Sequence, residues 1–304
     1  MSSTQSSQQF VAAVRERVGL VVVGQDVVVE RVMIALLTGG HLLLQGMPGL
    51  AKTLLVNTVA KAIHLDFKRI QFTVDMLPSD ILGSEVVDLK TGEFRIHRGP
   101  VFTNLLLADE INRAAPKVQG AMLEAMQERK VTLGGQSMKL PTPFLVIATQ
   151  NPVEQSGTFE LPEAQLDRFM LLHRLGYPGR DEEQDILRRQ LSMGLRKEEG
   201  GAVPKTAFDM IDGSPVGTAT DLVAAMESVQ QVHVSEVFLK HSVELVRRTR
   251  ESKLLDFGCS PRAGLALVNA ARARAVIHGR DYVTPEDLFD LAEDIVLHRI
   301  RVSY

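Results

Sequence analysis

The sequence of 304 residues is poor in cysteine, nearly neutral in net charge and free of long apolar runs. A single cysteine, Cys259, excludes an intrachain disulfide and a zinc site built from several cysteines. The formal net charge of −3 gives no overall attraction to nucleic acid or to an anionic membrane. No apolar run approaches the roughly 18 to 20 residues that a membrane-spanning helix needs. The eight histidines show no HExxH or comparable metal-binding spacing.

The remaining composition is that of an ordinary globular protein, with 45% hydrophobic and 23% charged residues. The polar start, MSSTQSSQQF, lacks the basic beginning and the apolar stretch of a secretory signal. We therefore expect a disordered tail over residues 1–9, no membrane span and a cytoplasmic location.

The most informative stretch reads HLLLQGMPGLAKT and covers residues 41–53. Its run of three leucines predicts a buried strand, and a segment of helical character follows Lys52. Strand, glycine-containing turn and helix form the arrangement that binds nucleotide phosphates, because the loop N–H groups and the helix N-terminus face the anion. Lys52 would then reach the β- and γ-phosphates, and the Thr53 hydroxyl would ligate Mg²⁺.

One position departs from the strict phosphate-loop pattern GxxxxGK[ST], because Ala51 stands where the second glycine belongs. An alanine fits there when its φ is negative, as in the first turn of a helix, and this is what we expect of Ala51. The alternative interpretation is an ordinary strand-to-helix loop that happens to contain Lys-Thr.

Polar groups also end two later predicted strands. Asp109 and Glu110 end the apolar run that starts at Leu105, and Asn151 closely follows the run 144–148. Parallel sheets bind ligands at the carboxyl ends of their strands, so these groups should meet the phosphate loop. Asp109 can hold Mg²⁺, Glu110 can polarise the attacking water, and Asn151 can hydrogen-bond the γ-phosphate or that water. Taken singly, each could instead be an ordinary strand-end acid or a turn asparagine.

Strands alternate with helices over residues 10–177, which predicts an α/β core built on a parallel sheet with helices on both faces. A β-hairpin near residues 83–97, centred on Lys90-Thr91-Gly92, should project from this core. Beyond residue 177 the strand pattern vanishes, so residues 178–304 are predicted to form an all-α domain.

Two arginines, Arg168 and Arg262, do not belong to the apolar face of a predicted helix. Arg168 lies in LPEAQLDRF, and Arg262 opens a predicted helix in CSPR. A solvated surface ion pair is the alternative for both arginines, since this is the usual environment of charged side chains.

Five segments of the chain, in this order, closely resemble the MoxR group of AAA+ ATPases, in the branch that includes magnesium-chelatase ATPase subunits and MCM helicases. They are GMPGLAKT at 46–53, LADEINRA at 107–114, ATQNP at 148–152, LDRF at 166–169 and SPRA at 260–263. The resemblance covers residues 10–301 and implies a P-loop AAA+ core with a helical lid. The resemblance includes Ala51, so the family shares this departure from the strict phosphate-loop pattern.

The resemblance implies ATP and Mg²⁺ as cofactors and a role for each matching residue. Asp109 and Glu110 match Walker B, and Asn151 matches sensor 1. Arg168 matches an arginine finger that acts on a neighbouring subunit's ATP. Arg262 matches sensor 2, which would contact the nucleotide from a helical lid that could rotate against the core. The segments that would hold nucleotide are the adenine-flanking residues and the Walker A loop, namely Val23, Gly24, Gln25, Gly46, Met47, Pro48, Gly49, Leu50, Ala51, Lys52, Thr53 and Leu54. The hairpin matches the helix-2 insert, and Arg113 receives no firm role.

The implied assembly is a homo-oligomeric ring, usually of six subunits, that remodels or matures a client protein beside a partner carrying a von Willebrand factor A domain. A nucleic-acid motor and a chelatase-type metal-insertion subunit are the alternatives. The acidic net charge argues against the first. A solitary P-loop kinase or GTPase lacks support, because no Asn-Lys-x-Asp guanine signature is present and the arginine motifs would have no explanation.

Overall fold

The computed structural model of the protein describes residues 3–88, 90, 92–153, 157–198, 201–211 and 214–303. The first half of the chain forms these elements in order: α1 (Ser3–Gly19), α2 (Asp26–Thr38), β1 (Leu42–Gln45), α3 (Lys52–Ala62), β2 (Phe67–Gln71), α4 (Pro78–Leu82), β3 (Gly83–Val87), β4 (Phe94–Arg98), β5 (Leu105–Asp109), α5 (Pro116–Glu128), β6 (Lys130–Leu133), β7 (Gln136–Lys139), β8 (Leu145–Gln150), α6 (Glu163–Leu166) and β9 (Leu171–Arg174).

The second half is mostly helical. It forms α7 (Arg180–Ser192), β10 (Leu195–Glu198), β11 (Gly201–Pro204), α8 (Ala219–Gln230), α9 (Glu236–Glu251), β12 (Leu255–Phe257), α10 (Pro261–Ile277), α11 (Pro285–Val296) and β13 (Arg301–Val302). No helix of the described residues is both long enough and apolar enough to cross a membrane.

A five-stranded parallel sheet in the order β2-β5-β8-β1-β9 forms the centre of the core. Its three inner strands, β1, β5 and β8, are buried along most of their length. Helices cover both faces of the sheet, so side chains on either face are shielded from water. β1 lies between β8 and β9, with β5 next to β8. The carboxyl ends of β1, β5 and β8 therefore meet at one edge, and the predicted α/β fold class is confirmed.

The predicted hairpin is present as an antiparallel pair, in which Val87 is opposite Phe94. Both side chains are largely exposed, so this hairpin projects from the core. Thr91, part of the predicted turn, lies outside the described residues. The second antiparallel hairpin is formed by β6 and β7.

The start of the chain differs from the prediction of a disordered tail over residues 1–9. Residues from Ser3 onward belong to α1, which continues to Gly19. Its apolar residues Phe10, Val11, Val14 and Val18 are buried in the main apolar core. Burial of this stripe stabilises the helix, and its polar first turns extend the same element.

The helical second domain is confirmed, but the sequence pattern missed two short ribbons. β10 pairs with β11, and β12 pairs with β13, each antiparallel. The Leu195 side chain in β10 is 65% exposed. Such ribbons bury no complete face, so their sequences lack the apolar alternation by which strands are predicted.

The lid helices pack directly on the α/β core. The largest apolar cluster contains residues of α1, α2 and β1 together with residues of α8, α10 and α11. A buried ionic network also joins the two parts, since Arg31 of α2 donates to Asp294 of α11. Its neighbour Glu30 accepts from Arg274 of α10 at 3.2 Å.

Candidate nucleotide site

The phosphate loop connects β1 to α3 and contains two residues with positive φ. Gly49 has φ +86°, a conformation that glycine adopts without strain. The predicted negative φ at Ala51 is wrong, because its φ is +54° in the left-handed region. The helix begins one residue later, at Lys52, so Ala51 is the N-cap residue that turns the chain into the helix. A left-handed alanine stores strain of about 1–2 kcal/mol at this turn.

Lys52 spans the loop. Its Nζ donates a hydrogen bond to the carbonyl oxygen of Gly46 at 3.0 Å. Burial lowers the pKa of Lys52, and the negative charges of Asp109 and Glu110 oppose this shift. The ammonium group therefore lies across the loop, and Lys52 lines the same cavity as Asp109 and Glu110.

A cavity of about 500 Å³ adjoins the loop, the N-terminus of α3 and the carboxyl ends of β2, β5 and β8. Its lining brings together the predicted Lys52, Thr53, Asp109, Glu110 and Asn151. The remaining lining residues are Pro48, Gly49, Leu50, Ala51, Leu54, Arg69, Gln71 and Phe208.

Asp109 is buried and hydrogen-bonded at both carboxylate oxygens. Thr149 Oγ1 donates to Oδ1 at 2.6 Å, while Arg69 donates to Oδ2 from Nη2 at 2.7 Å and from Nε at 3.1 Å. Thr149 Oγ1 also accepts from the backbone N–H of Glu110 at 2.8 Å. This threonine of β8 thereby fixes the positions of both acids.

Glu110 has φ +56°, which makes it a second non-glycine residue in the left-handed region of this site. Its Oε2 accepts a hydrogen bond from Gln71 Nε2 at 2.8 Å and lies 2.8 Å from Arg113 Nε in an ion pair. Strained backbone at a candidate base is a common feature of functional sites. Arg113, which had no firm predicted role, contacts this glutamate.

Arg69 and Gln71 are site residues that the sequence analysis missed. Both side chains leave the same face of β2, since residues two apart in a strand share a face. Gln71 is opposite Asp109 in the parallel register between β2 and β5. The available signal was a pair of polar residues, two positions apart, in the predicted strand over residues 67–72.

Asn151 lines the cavity and also makes a turn. Its Oδ1 accepts from the backbone N–H of Val153 at 3.2 Å, the local contact expected of a turn asparagine. The side chain is half-buried. Both interpretations of Asn151 are therefore compatible with its position.

A second cavity, of about 410 Å³, lies beside the loop and has a mainly apolar lining. Val23 and Gln25 contribute to it, together with Tyr177 and the apolar side of α7. Gln25 Nε2 donates to the Leu50 carbonyl oxygen at 2.8 Å, which joins this segment to the phosphate loop. An apolar pocket next to a phosphate site suits the flat face of a base.

Within the two predicted nucleotide-binding segments, Gly24, Gly46 and Met47 line neither cavity. Gly24 lies against the Glu182 carboxylate, and Gly46 lies so close to Leu175 that a Cβ atom there would be 2.7 Å from Leu175 Cβ. Met47 is half-buried in the loop. Gly46 contributes the carbonyl oxygen that accepts from Lys52.

The two predicted arginines lie together, away from the phosphate loop. Arg168 and Arg262 line a third cavity of about 160 Å³ beside Asp167 and His41. Arg262 Nη1 is 3.4 Å from Asp167 Oδ2.

Arg262, which the resemblance implies would contact nucleotide, does not line the phosphate cavity of its own chain. Ser260 Oγ, at the start of α10, donates to Asp167 Oδ2 at 3.0 Å, and the buried Arg299 donates to Oδ1 at 2.8 Å. These contacts hold the first turn of α10 at the Asp167–Arg168 end of the core, which directs Arg262 to the third cavity.

Two protein-family models match parts of the chain. Residues 41–171 match the family described as "ATPase family associated with various cellular activities (AAA)", and residues 247–304 match the family described as "AAA lid domain". The first region contains the phosphate loop, Asp109, Glu110 and Arg168, and the second contains Arg262.

Similar proteins match nearly the whole chain. The chain is 42% identical over 93% of its length to Chaperone MoxR1 of Mycobacterium tuberculosis, of which it covers 74%. It is 44% identical over 94% of its length to the uncharacterized protein YeaC of Bacillus subtilis, of which it covers 85%. A solved structure from Cytophaga hutchinsonii, described as a candidate ATPase, matches with TM-score 0.88 and 42% identity over 99% of this chain and 90% of that one. The chain therefore belongs to the MoxR family of AAA ATPases and is an ATP hydrolase.

Proposed function

We propose that this ATPase uses Mg²⁺, that its active sites are completed by neighbouring copies in a ring, and that hydrolysis drives remodelling of a protein client. One observation carries the proposal: the groups that would bind phosphate and the two arginines line separate cavities of the same chain. A site that needs both sets must receive its arginines from another copy.

The residues at the phosphate loop fit a magnesium ion. Asp109 and the Thr53 hydroxyl supply the oxygen ligands that Mg²⁺ prefers, and Asp109 already has a cationic partner in Arg69. When bound, the ion would neutralise charge on the β- and γ-phosphate oxygens.

Residues of the chain itself would bind the nucleotide and activate the attacking water. Lys52 binds the phosphates through its ammonium group, and the loop N–H groups orient them. Glu110 accepts a proton from the attacking water or orients it, and Asn151 hydrogen-bonds that water or the γ-phosphate. Val23 and Gln25, in the second cavity, would contact the adenine base.

Arg168 would act as the finger for the adjacent copy, and Arg262, from the same cavity, would act beside it. An arginine finger contributes about 10³- to 10⁵-fold in rate, or about 4 to 7 kcal/mol of barrier. A lone copy should therefore turn over ATP very slowly. A head-to-tail ring is the closed arrangement that supplies every site, and six subunits is the number that family resemblance implies.

The biological role follows from family membership and is part of the proposal. A relative named a chaperone supports a protein client. We propose a cytoplasmic location and a partner with a von Willebrand factor A domain, both from the resemblance to the MoxR group. A nucleic-acid substrate is disfavoured by the net charge of −3.

Mixing two inactive variants tests the shared site. Glu110→Gln lacks the base but keeps the finger, and Arg168→Ala lacks the finger but keeps the base. In randomly mixed rings, about a quarter of the sites combine an intact base with an intact neighbouring finger, so about a quarter of wild-type activity should return. Arg188→Ala, at an exposed arginine of α7, is the control and should remain active alone. Co-assembled rings with no recovered activity would contradict a finger that acts on a neighbouring copy.

A further inference from the structure

We propose that Arg69 is a positioning residue: it pairs with Asp109 in place of a metal ion and releases this acid when metal enters together with nucleotide. The inference rests on the proposed function, because it takes Asp109 as a metal ligand. It adds a role for a residue of β2 that neither the phosphate loop nor the Asp-Glu pair includes.

The first support is the geometry of the pair. Two guanidinium nitrogens of Arg69, Nη2 and Nε, converge on the single oxygen Oδ2 of Asp109 at 2.7 and 3.1 Å. The other carboxylate oxygen accepts from Thr149. Arg69 Nη2 also donates to Gln71 Oε1 at 2.6 Å, which holds the guanidinium in this orientation. The Asp109 carboxylate therefore has a defined cationic partner on the side that faces the cavity.

The second support is the difference in exposure between the partners. The Asp109 side chain is 12% exposed, whereas the Arg69 side chain is 46% exposed. A buried carboxylate needs a cation or several hydrogen bonds, because desolvation of an unpaired charge is costly. The half-exposed guanidinium supplies that charge from the cavity and can return to water at small cost.

The third support is that Arg69 lines the same cavity as Lys52 and Thr53. A divalent cation bound to Asp109 would remove the need for the guanidinium. Once released, Arg69 remains within the cavity, where its planar donors suit the oxygens of a phosphate group. The Arg69 guanidinium would then pair with the nucleotide phosphates instead of Asp109 and would stay within the cavity.

This exchange makes metal binding depend on nucleotide. Without nucleotide, a metal ion must displace Arg69 and gains few ligands in return. With nucleotide, phosphate oxygens complete the coordination and also bind the displaced guanidinium. Arg69 therefore couples the two binding events, and linkage requires the coupling to act equally in both directions.

Manganese binding measures this coupling directly. We would determine the affinity for Mn²⁺ from the electron paramagnetic resonance signal of the free ion, with and without the non-hydrolysable analogue AMP-PNP, after subtracting the Mn²⁺ that AMP-PNP binds in the absence of protein. Arg69→Gln should bind Mn²⁺ about tenfold more tightly than wild type without nucleotide, which corresponds to about 1.4 kcal/mol. The difference should shrink when AMP-PNP is present. Arg69→Lys keeps the positive charge and should restore weak binding.

Two controls separate this effect from a general loss of positive charge. Lys68→Gln removes one charge from the adjacent, exposed position of β2, whose side chain leaves the opposite face of the strand. Its Mn²⁺ affinity should equal that of wild type. Adding Asp109→Asn to Arg69→Gln should abolish the gain, because the ligand itself is lost.

The outcomes distinguish this inference from the proposed function. Equal Mn²⁺ affinity of Arg69→Gln and Lys68→Gln without nucleotide, with normal binding of all variants beside AMP-PNP, would overturn the role of Arg69 and leave the metal site intact. Failure of the wild-type protein to bind Mn²⁺ beside AMP-PNP would overturn the metal site, and with it the inference.

Discussion

Asp294 offers a quantitative test of how the lid is held on the core. This buried residue of α11 accepts a hydrogen bond from Arg31 of α2 and lies 3.0 Å from His173 Nδ1 of β9. The Arg31 side chain is also buried and donates to Glu30. Asp294→Asn would remove the charge and keep the approximate shape of the side chain.

The expected loss follows from burial at both ends of the pair. Removing one partner from a buried ion pair costs about 3–5 kcal/mol, because the other charge stays desolvated. Glu30 still neutralises Arg31 in the variant, so we expect the lower end of that range, about 3 kcal/mol at pH 7. The matched control is Asp290→Asn, one turn earlier on α11. The Asp290 side chain is 42% exposed and pairs with Arg274, so its loss should cost at most about 1 kcal/mol.

The pH dependence gives a second measurement. Burial raises the pKa of Asp294, but the hydrogen bond and charge of His173, together with Arg31, outweigh burial and leave the pKa below its ordinary value of 3.8. A carboxyl with a lowered pKa in the folded state stabilises the fold above pH 3.8, and this contribution disappears as the pH falls through the folded-state pKa. The difference between wild type and Asp294→Asn should therefore be full at pH 7 and shrink below about pH 4.

Urea unfolding followed by circular dichroism measures both quantities. The free energy of unfolding is obtained at each pH from the midpoint and the slope, and the slope must stay constant across variants for the comparison to hold. If Asp294→Asn costs no more than Asp290→Asn at pH 7, the buried Arg31–Asp294 pair does not hold the lid on the core.

Three further outcomes are expected. Glu110→Gln should retain ATP binding and lose about 10²- to 10⁴-fold in turnover, measured by phosphate release; wild-type turnover would remove the base role. Lys52→Ala should weaken nucleotide binding by about tenfold or more in a fluorescent-nucleotide titration, since one charge-assisted contact is lost; unchanged affinity would contradict its phosphate contact. His41 should stay neutral above pH 5 in an NMR titration, because burial lowers its pKa to about 4. The neutral imidazole can accept a hydrogen bond from the Val146 N–H and donate one to the Met126 carbonyl oxygen. A midpoint near the ordinary 6.5 would contradict that environment.

The features that sequence predicted well are those set by local pattern. The leucine run before the phosphate loop and the apolar run before Asp109 predicted buried parallel strands because strands covered on both faces are apolar throughout. The convergence of Lys52, Asp109, Glu110 and Asn151 followed from the rule that strand ends of a parallel sheet share one edge. The structure brings these four residues to one cavity.

The features that sequence could not predict depend on register and on contacts distant in sequence. Arg69 reaches Asp109 because β2 pairs with β5 in one particular register, although the two residues are 40 positions apart in the sequence. Ser260 reaches Asp167 across 93 residues, and that contact sets the position of Arg262. Local periodicity carries no information on either pairing.

The position of Arg262 changes the expected route by which hydrolysis produces motion. A lid that touched its own nucleotide could rotate against its own core when the γ-phosphate leaves. Here α10 is held to Asp167 by Ser260, and Arg31 and Asp294 join α2 to α11 within buried surroundings. A ligand shifts an equilibrium only through contacts that differ between two states. Because Arg168 and Arg262 do not line the phosphate cavity of their own chain, the proposed ring would place those differences at the boundary between copies, with each lid moving as one unit with its own core.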